Sequence, residues 1–550
     1  MRLLRTATAL ALCAAGALSQ QRTEPLPTFS ESVEVRVLNL DVDASDGKGN
    51  PVTDLKREDF TLKIGGKVVP IDYFALVDDG TLHAPDLATA TPEQTLAAYK
   101  KGEEAYVPRN FLVYVDLGYL PAGLRNRSLN AIRDLATRLG PNDAMRVVVF
   151  NRIPTVLVDW TTSKEVAMSA LSQIETKGVG MSRLQTQTQT LAMIDGMGQG
   201  RRNLNSRMQL ARQYAQEVGS EIETMIGSIQ SELVTLTPLN GKKAFLFLSG
   251  GFEYQPGFVM AQYAAGSLPS LSNFNVREIS TRLETMIRKA NADQITFYTV
   301  DATGLTADGT SAAEGSPVTN IIAIENRPNL RFQAQQDRQN GLQQMATETG
   351  GLALLNTNDF QKGLTRIYQQ VSTYYTLGVT LSKLGLTGYQ DVKVTVNRPG
   401  VTVRARKGFE PLSESQKVAN RARATMETDL SYNAIPATIQ TAPATQDKKY
   451  YILPITVMVP ASALTFVPDG DKEVARAEFY IGSTDDKGGS SDLNRQETTF
   501  QVPAGKAKGD AMLRYAAQLQ TKKGNYRIVI NVRDSASGKM GTARANVRVE

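Results

Sequence analysis

Apolar positions along the chain follow three rhythms in succession. Between Val33 and Phe74 they alternate, as at Val33, Val35 and Val37, and Asp46-Gly47-Lys48-Gly49-Asn50-Pro51 supplies turn chemistry. This period of two predicts a small β module over residues 30–77. Gly65-Gly66, set between Thr61-Leu62-Lys63-Ile64 and Lys67-Val68-Val69, predicts a two-residue hairpin turn, because glycine reaches positive φ without strain. Residues 78–108, rich in Ala, Thr and Pro, read as a loop with one short helix over 92–101.

From Asn110 the rhythm changes to short, wholly apolar runs separated by amphipathic helices, the signature of a parallel sheet covered on both faces. The predicted strands are Phe111 to Val115, Arg146 to Phe150, Ala244 to Leu248, Ile295 to Val300 and Leu352 to Leu355. Leu129, Ile132, Leu135, Ala136 and Leu139 share one helical face, as do Leu364, Ile367, Tyr368, Val371 and Tyr375. A longer seam runs through Leu204, Met208, Ala211, Ala215, Val218, Ile222, Met225, Ile229 and Leu233. Such a helix, about 45 Å long at about 1.5 Å per residue, either forms a coiled coil or lies on the sheet and projects past it as a docking surface.

The third rhythm follows a hairpin over residues 382–410, in which Asp391 to Val396 and Val401 to Arg406 flank Asn397-Arg398-Pro399-Gly400. Residues 411–449 shift to Ala, Thr, Ser, Gln and Pro and read as a linker with a helical stretch over 413–429. Over 450–550, strands at Tyr450 to Val459, Ala475 to Ile481, Glu497 to Val502, Met512 to Leu519, Tyr526 to Arg533 and Ala543 to Val549 have the spacing of an immunoglobulin-like β-sandwich. There Tyr526 is either a corner tyrosine or a core aromatic.

Composition changes this picture mainly through the first residues. Arg2 and Arg5 precede an apolar run from Ala7 to Leu18 that is too short to span a bilayer, and Ala17 and Ser19 fit a signal-peptidase site. Residues 1–19 are therefore expected to be a signal peptide, which makes the protein exported, periplasmic or extracellular, and no later segment reads as a transmembrane span. Removing it takes away Cys13, the only cysteine, so no disulfide or thiolate ligand is expected. Without Arg2 and Arg5 there are 59 basic against 55 acidic residues, a net +4 too dilute for nucleic acid. The densest basic spots, Lys522-Lys523 and Arg404-Ala-Arg406-Lys407, read as solvated strand ends.

Candidate chemistry is sparse. Asp41, Asp43 and Asp46 do not make a calcium loop, since the sixth position from Asp41 is Asp46 rather than glycine and the twelfth is Val52 rather than glutamate. They read as edge-strand and turn acids. The single histidine, His83, sits in a loop with no G-x-S-x-G elbow to serve, and there is neither a P-loop nor a strand followed by G-x-G-x-x-G. No catalytic residue is assigned and no enzyme is expected, although lysine or carboxylate chemistry in a hydrolase stays open. In an open α/β sheet, ligands sit beyond the carboxyl ends of the strands. Asp116 and Asp301 occupy two such ends.

Phe111-Leu-Val-Tyr-Val115 followed by Asp116 and Gly118, the helix from Arg125 to Leu139, and Ala244-Phe-Leu-Phe-Leu-Ser-Gly-Gly251 together resemble a von Willebrand factor A domain over residues 108–381. Asn50-Pro51-Val52-Thr53-Asp54-Leu55 and Glu58-Asp59-Phe60 before it, with Arg398-Pro399-Gly400-Val401 and Arg404-Ala405-Arg406-Lys407-Gly408-Phe409 after it, look like the related proteins characteristic of acidobacteria. The resemblance implies a Rossmann-like α/β sheet flanked by helices, between the small β module and the sandwich. It also implies a Mg²⁺ site of the form D-x-S-x-S, a distant threonine and a strand-end aspartate. Here the loop reads Asp116-Leu117-Gly118-Tyr119-Leu120, and Gly250 stands where the second aspartate belongs.

What remains is a degenerate metal set of Asp116, Ser182 and Ser249, with Thr186 as the other match to the threonine; the alternative is Asp116 hydrogen-bonded to loop amides. The expected ligand-binding rim comprises Asp116, Gly118, Ser182, Thr186, Ser249, Gly250 and Asp301, extended by the segments 250–276 and 303–342. The expected function is metal-independent recognition of a protein partner in an adhesion-type role. The alternative is assembly by self-association through residues 203–236 and the C-terminal β-domain.

Overall fold

The computed structural model describes residues 37–83, 105–120, 122–176, 182–198, 200–237, 239–266, 279–304, 328–381, 384–427, 431–486, 489–503, 505 and 511–550. The expected signal peptide, the short helix at 92–101 and much of the two rim segments lie outside them. Two compact units divide the chain, residues 34–411 and residues 412–550.

The first unit begins with β1 (Val37–Ser45), β2 (Phe60–Ile64), β3 (Lys67–Val69), β4 (Tyr73–Asp78), β5 (Thr81–His83) and β6 (Ala105–Tyr106). A central sheet follows: β7 (Arg109–Asp116), β8 (Ala144–Asn151), β9 (Ile153–Thr161), β10 (Lys242–Ser249), β11 (Ile295–Asp301) and β12 (Ala353–Leu354). Its order is β12-β11-β10-β7-β8-β9, parallel except for the antiparallel edge strand β9. Counted within the sheet, that is the doubly wound order in which the first and fourth strands lie side by side and chain direction reverses between them. The crevice of such a sheet opens at this reversal, beyond the ends of β7 and β10.

Every residue of β7 and β10 is buried, and successive side chains enter opposite cores. Leu112, Tyr114, Phe245 and Phe247 pack with the helices α4 (Leu204–Leu236), α5 (Phe258–Ala265) and α6 (Ser280–Ala292). Phe111, Val113, Val115, Ala244 and Leu246 pack on the other face, with α1 (Ala122–Thr137), α2 (Lys164–Thr176) and α8 (Phe360–Ser372). The connection into α4 carries α3 (Ser182–Gly196), and α7 (Pro328–Thr349) precedes β12. Burial on α4 runs from Arg207 to Leu236, so the helix does not project past the sheet. Its apolar seam is consumed by the core of its own chain and is unavailable for the self-association expected of residues 203–236.

The N-terminal module and the segment after the central domain are not separate pieces, and the two strands expected as a hairpin over 382–410 pair with different partners instead of with each other. Strand β13 (Tyr374–Thr380) pairs antiparallel with both β1 and β4, while β14 (Gln390–Val396) pairs with β2, β15 (Thr402–Ala405) with β1, and β16 (Gly408–Phe409) with β14. Pairing across more than 300 residues, such as Leu40 with Leu377 and Leu62 with Val394, joins them into two antiparallel sheets with a shared core. Local periodicity shows each strand but cannot show this pairing. Asp46 is a turn acid, accepting from the amides of Lys48 and Asn50 at 2.8 Å. Strand β1, however, is interior to its sheet, so Asp43 is buried rather than at an edge.

Burial pushes the Asp43 carboxyl up to about 6, against the pull of Arg404 and Lys242. It accepts from Gln370 Nε2 at 2.9 Å, and Gln370 Oε1 beside it is buried without a donor. The stabilising form is the neutral acid, so its contribution is full below the ordinary carboxylate range and is lost as pH rises through about 6. Asp43→Asn is expected to stabilise the protein at pH 8 by about 1–2 kcal/mol and to give no gain at pH 4. Denaturant melts at the two pH values check this, and an Asn variant no more stable than the wild type at pH 8 contradicts it.

The second unit consists of α9 (Glu414–Glu427) and two antiparallel sheets. One contains β17 (Thr438–Thr441), β18 (Thr445–Asp447), β19 (Tyr450–Pro460) and β23 (Met512–Thr521); the other contains β20 (Val467–Asp469), β21 (Lys472–Asp485), β22 (Asn494–Pro503), β24 (Gly524–Asp534) and β25 (Met540–Val549). Ile455, Val457, Phe479, Tyr515, Ile528 and Ile530 form the shared core, with Phe479 stacked on Tyr515 at 4.0 Å between ring centroids. The segment expected as a linker therefore contains β17 and β18, which pair with β19. Their Thr- and Gln-rich sequences gain order from the ladder rather than from an apolar face. Tyr526 is half-buried and outside this core.

Candidate functional site

Asp116 ends β7 and Ser249 ends β10, the two strands that flank the reversal of the central sheet. Both are fully buried. Ser249 Oγ donates to Asp116 Oδ2 at 2.7 Å, and the amide of Gly118 donates to Oδ1 at 3.1 Å. The carboxylate's counter-ion is Arg183, at the start of α3, whose Nη2 lies 2.6 and 2.5 Å from the two oxygens. Arg183 is 0% exposed, and its Nη1 reaches Glu221 Oε1 of α4 at 3.3 Å. Ser182 Oγ donates to the same Glu221 oxygen at 2.6 Å.

These contacts define a buried relay of Ser249, Asp116, Arg183, Glu221 and Ser182. Burial works against the guanidinium charge, yet Asp116 and Glu221 hold the Arg183 pKa above the ordinary arginine value. The Tyr119 ring covers the guanidinium at 5.3 Å. Gly118 is required by this arrangement, because a Cβ there would stand 2.1 Å from Arg183 Cζ and Nη2. Gly250 is likewise tied to close packing, with a Cβ falling 2.5 Å from the Tyr119 carbonyl oxygen.

The donor set does not fit a divalent cation. Both oxygens of Asp116 already face a fixed positive charge, and a metal beside Arg183 Nη2 would meet a cation at contact distance in a buried site. Ser182 is turned to Glu221 and does not share a centre with Asp116 and Ser249. Among the described residues, no three His, Cys, Asp or Glu side chains stand together as metal ligands.

The other expected rim residues are placed differently. Asp301, 2% exposed, closes its own turn: it accepts from the amide and hydroxyl of Thr303 at 3.0 and 2.5 Å and from Gln339 Nε2 at 2.7 Å. Thr186, partly exposed, donates to Glu217 at 3.0 Å. Asp116, Gly118, Ser182, Ser249, Gly250 and Asp301 therefore lie beneath the rim surface and not on it. They support it; the exposed layer above carries Arg152, on the β8–β9 turn, with Glu217 and Asn356.

Sequence reasoning missed Arg183, Glu221 and a neighbouring cluster. Tyr119 Oη and Tyr214 Oη lie 3.0 Å apart, and both phenols donate to Glu253 Oε1, that of Tyr119 at 2.7 Å. Glu253 Oε2 accepts from the Gly257 amide at 2.7 Å. Burial raises both phenols well above their ordinary range, with Glu253 adding to the effect. Asp337 faces this group; burial and then the charge of Glu253 push it up to about 7, and it accepts from the Gln255 amide at 3.1 Å. Glu253 has both oxygens engaged, and a cavity of about 10 Å³ between it and Asp337 has room for one water and no substrate.

No family model matches the chain, and no curated protein matches it. Solved structures to which it is similar include BatB from Bacteroides thetaiotaomicron, at 14% identity over 48% of this chain and 97% of that one, with a TM-score of 0.23. A von Willebrand factor type A protein from Catenulispora acidiphila is 8% identical over 95% of this chain and 75% of that one, also at 0.23. Proximal thread matrix protein 1 of the mussel byssus is 9% identical over 50% and 49%, at 0.24. The strand order by itself makes the central domain a doubly wound α/β fold. Among the described residues, no helix is long and apolar enough to cross a membrane.

Proposed function

We propose that the chain is an exported, non-catalytic binding protein of the von Willebrand factor A type, with an immunoglobulin-like C-terminal domain, whose rim recognises a protein partner without a metal ion. The Arg183–Asp116 pair carries this reading. In a metal-dependent rim, an open coordination position on the ion captures an acidic group of the partner. A buried guanidinium neutralises the carboxylate but offers no open position, so recognition falls to the layer above it. That layer is polar and of mixed charge, with Arg152 60% and Glu217 56% exposed. The acids near the crevice support a non-catalytic role, since Glu253, Asp301 and Asp116 are each fully engaged within the fold.

A photo-crosslinker at position 152, applied to the source organism's envelope fraction, tests the proposal. It predicts one dominant adduct that persists in EDTA and falls at least about tenfold when Glu217→Arg reverses the neighbouring charge. An adduct that requires added divalent ion, or one indifferent to the charge reversal, contradicts it.

A further inference from the structure

The C-terminal unit has a feature that rim recognition does not use. Two turns meet at one end of it: Lys448-Lys449, between β18 and β19, and Lys522-Lys523, between β23 and β24. They are adjacent because Tyr451 of β19 pairs with Thr521 of β23. Behind them lies a cavity of about 400 Å³, within the usual size of small-ligand sites, about 300–1,000 Å³. Its walls include Tyr450, Asp485, Ser491, Gln520, Lys522 and Tyr526.

Several of these groups have unused bonding capacity. Among the described residues, the Lys522 ammonium, the Gln520 amide and the phenols of Tyr450 and Tyr526 have no hydrogen-bond or ion-pair partner. Lys449 and Lys523 lie over the rings of Tyr450 and Tyr451, at 5.3 and 5.8 Å, and so extend positive charge around the mouth. Asp447 stands on the same side, while Asp485 and Asp486 are engaged, accepting from the Gly489 amide at 2.7 Å and Asn525 Nδ2 at 3.2 Å.

We propose that this cavity binds an acidic sugar residue of a polysaccharide. A pyranose presents an apolar C–H face, which suits Tyr450 and Tyr526, and a ring of hydroxyls, which suits the Gln520 amide and the two phenols. Its carboxylate suits Lys522 with the neighbouring lysines. A nucleic acid would also match lysine and tyrosine, and a thymidine oligonucleotide separates the two. The site is independent of the rim and stands or falls separately from it.

Calorimetric titration of the full chain with trigalacturonate, a mannuronate trimer and a hyaluronan tetramer tests the assignment, with maltotriose and a thymidine oligonucleotide as controls. At least one acidic oligosaccharide is expected to bind saturably, at least about tenfold more tightly than maltotriose. Lys522→Glu and Tyr526→Ala, each verified as folded by its melt, are expected to weaken it by about tenfold or more. The inference is overturned if no acidic oligosaccharide binds, if maltotriose binds equally well, if both variants bind unchanged, or if the oligonucleotide binds more tightly and loses affinity in Lys522→Glu.

Discussion

Replacing Arg183 with Met should destabilise the protein by about 3–5 kcal/mol, the cost of leaving a buried carboxylate without its counter-ion. Asp116 is fully buried, and its remaining donors are one hydroxyl and one amide. The second variant of the cycle, Asp116→Asn, should also destabilise, since it leaves Arg183 facing only Glu221. Combined, Asp116→Asn and Arg183→Met should lose less than the sum of the two, by about 1–3 kcal/mol, because neither buried charge of the pair is then left alone. Chemical denaturation of the four proteins reads this coupling. Additive losses would mean that the two side chains do not act as a pair.

The second large effect runs against the family resemblance. Gly118→Ser restores the residue that the D-x-S-x-S pattern carries at this position, and on that pattern alone it would be expected to help bind a metal. Here the new Cβ would fall 2.1 Å from Arg183 Cζ, in a site where the guanidinium is held by Asp116 and Glu221. The variant is therefore expected to lose about 3 kcal/mol by overpacking and to gain no metal affinity. Combining Gly118→Ser with Arg183→Ser removes the clash and supplies a second hydroxyl, and added Mn²⁺ should then raise the melting temperature of the double variant by binding the folded state. A Gly118→Ser protein as stable as the wild type would show that Arg183 is not confined as described.

How far the sequence exposes this site follows from the kind of signal each part emits. The parallel strands were legible because burial on both faces leaves apolar runs such as Phe111 to Val115 and Ala244 to Leu248. Asp116 and Ser249 were legible as polar residues directly after such runs. Arg183 gave no such signal: it sits in Ser-Arg-Leu-Gln-Thr-Gln, a polar helix start whose buried arginine looks like any solvated one. Glu221 was hidden similarly, since its neighbour Ile222 carries the apolar seam while Glu221 itself falls among positions that read as exposed. The one available clue was negative, a glycine at 118 in place of a serine, and its meaning depends on which side chain fills the space. The joining of the N-terminal strands to those after the central domain was missed for another reason, because the pairing partners lie more than 300 residues apart.

The relay also gives a physical reason for α4 to be long and to lie along the sheet. Its residues Tyr214 and Glu221 face the crevice, Glu232 holds Arg146 of β8 at 2.7 Å, and the apolar seam between them fills the core. One helix therefore anchors the sheet and completes the charge balance beneath the rim.

Calorimetric titration of Mn²⁺ and Mg²⁺ into the wild-type chain, beside Asp116→Ala, tests most directly whether Arg183 has taken the place of the metal. The predicted result is no heat that depends on Asp116. Saturable heat in the wild type that disappears in a folded Asp116→Ala variant would contradict it.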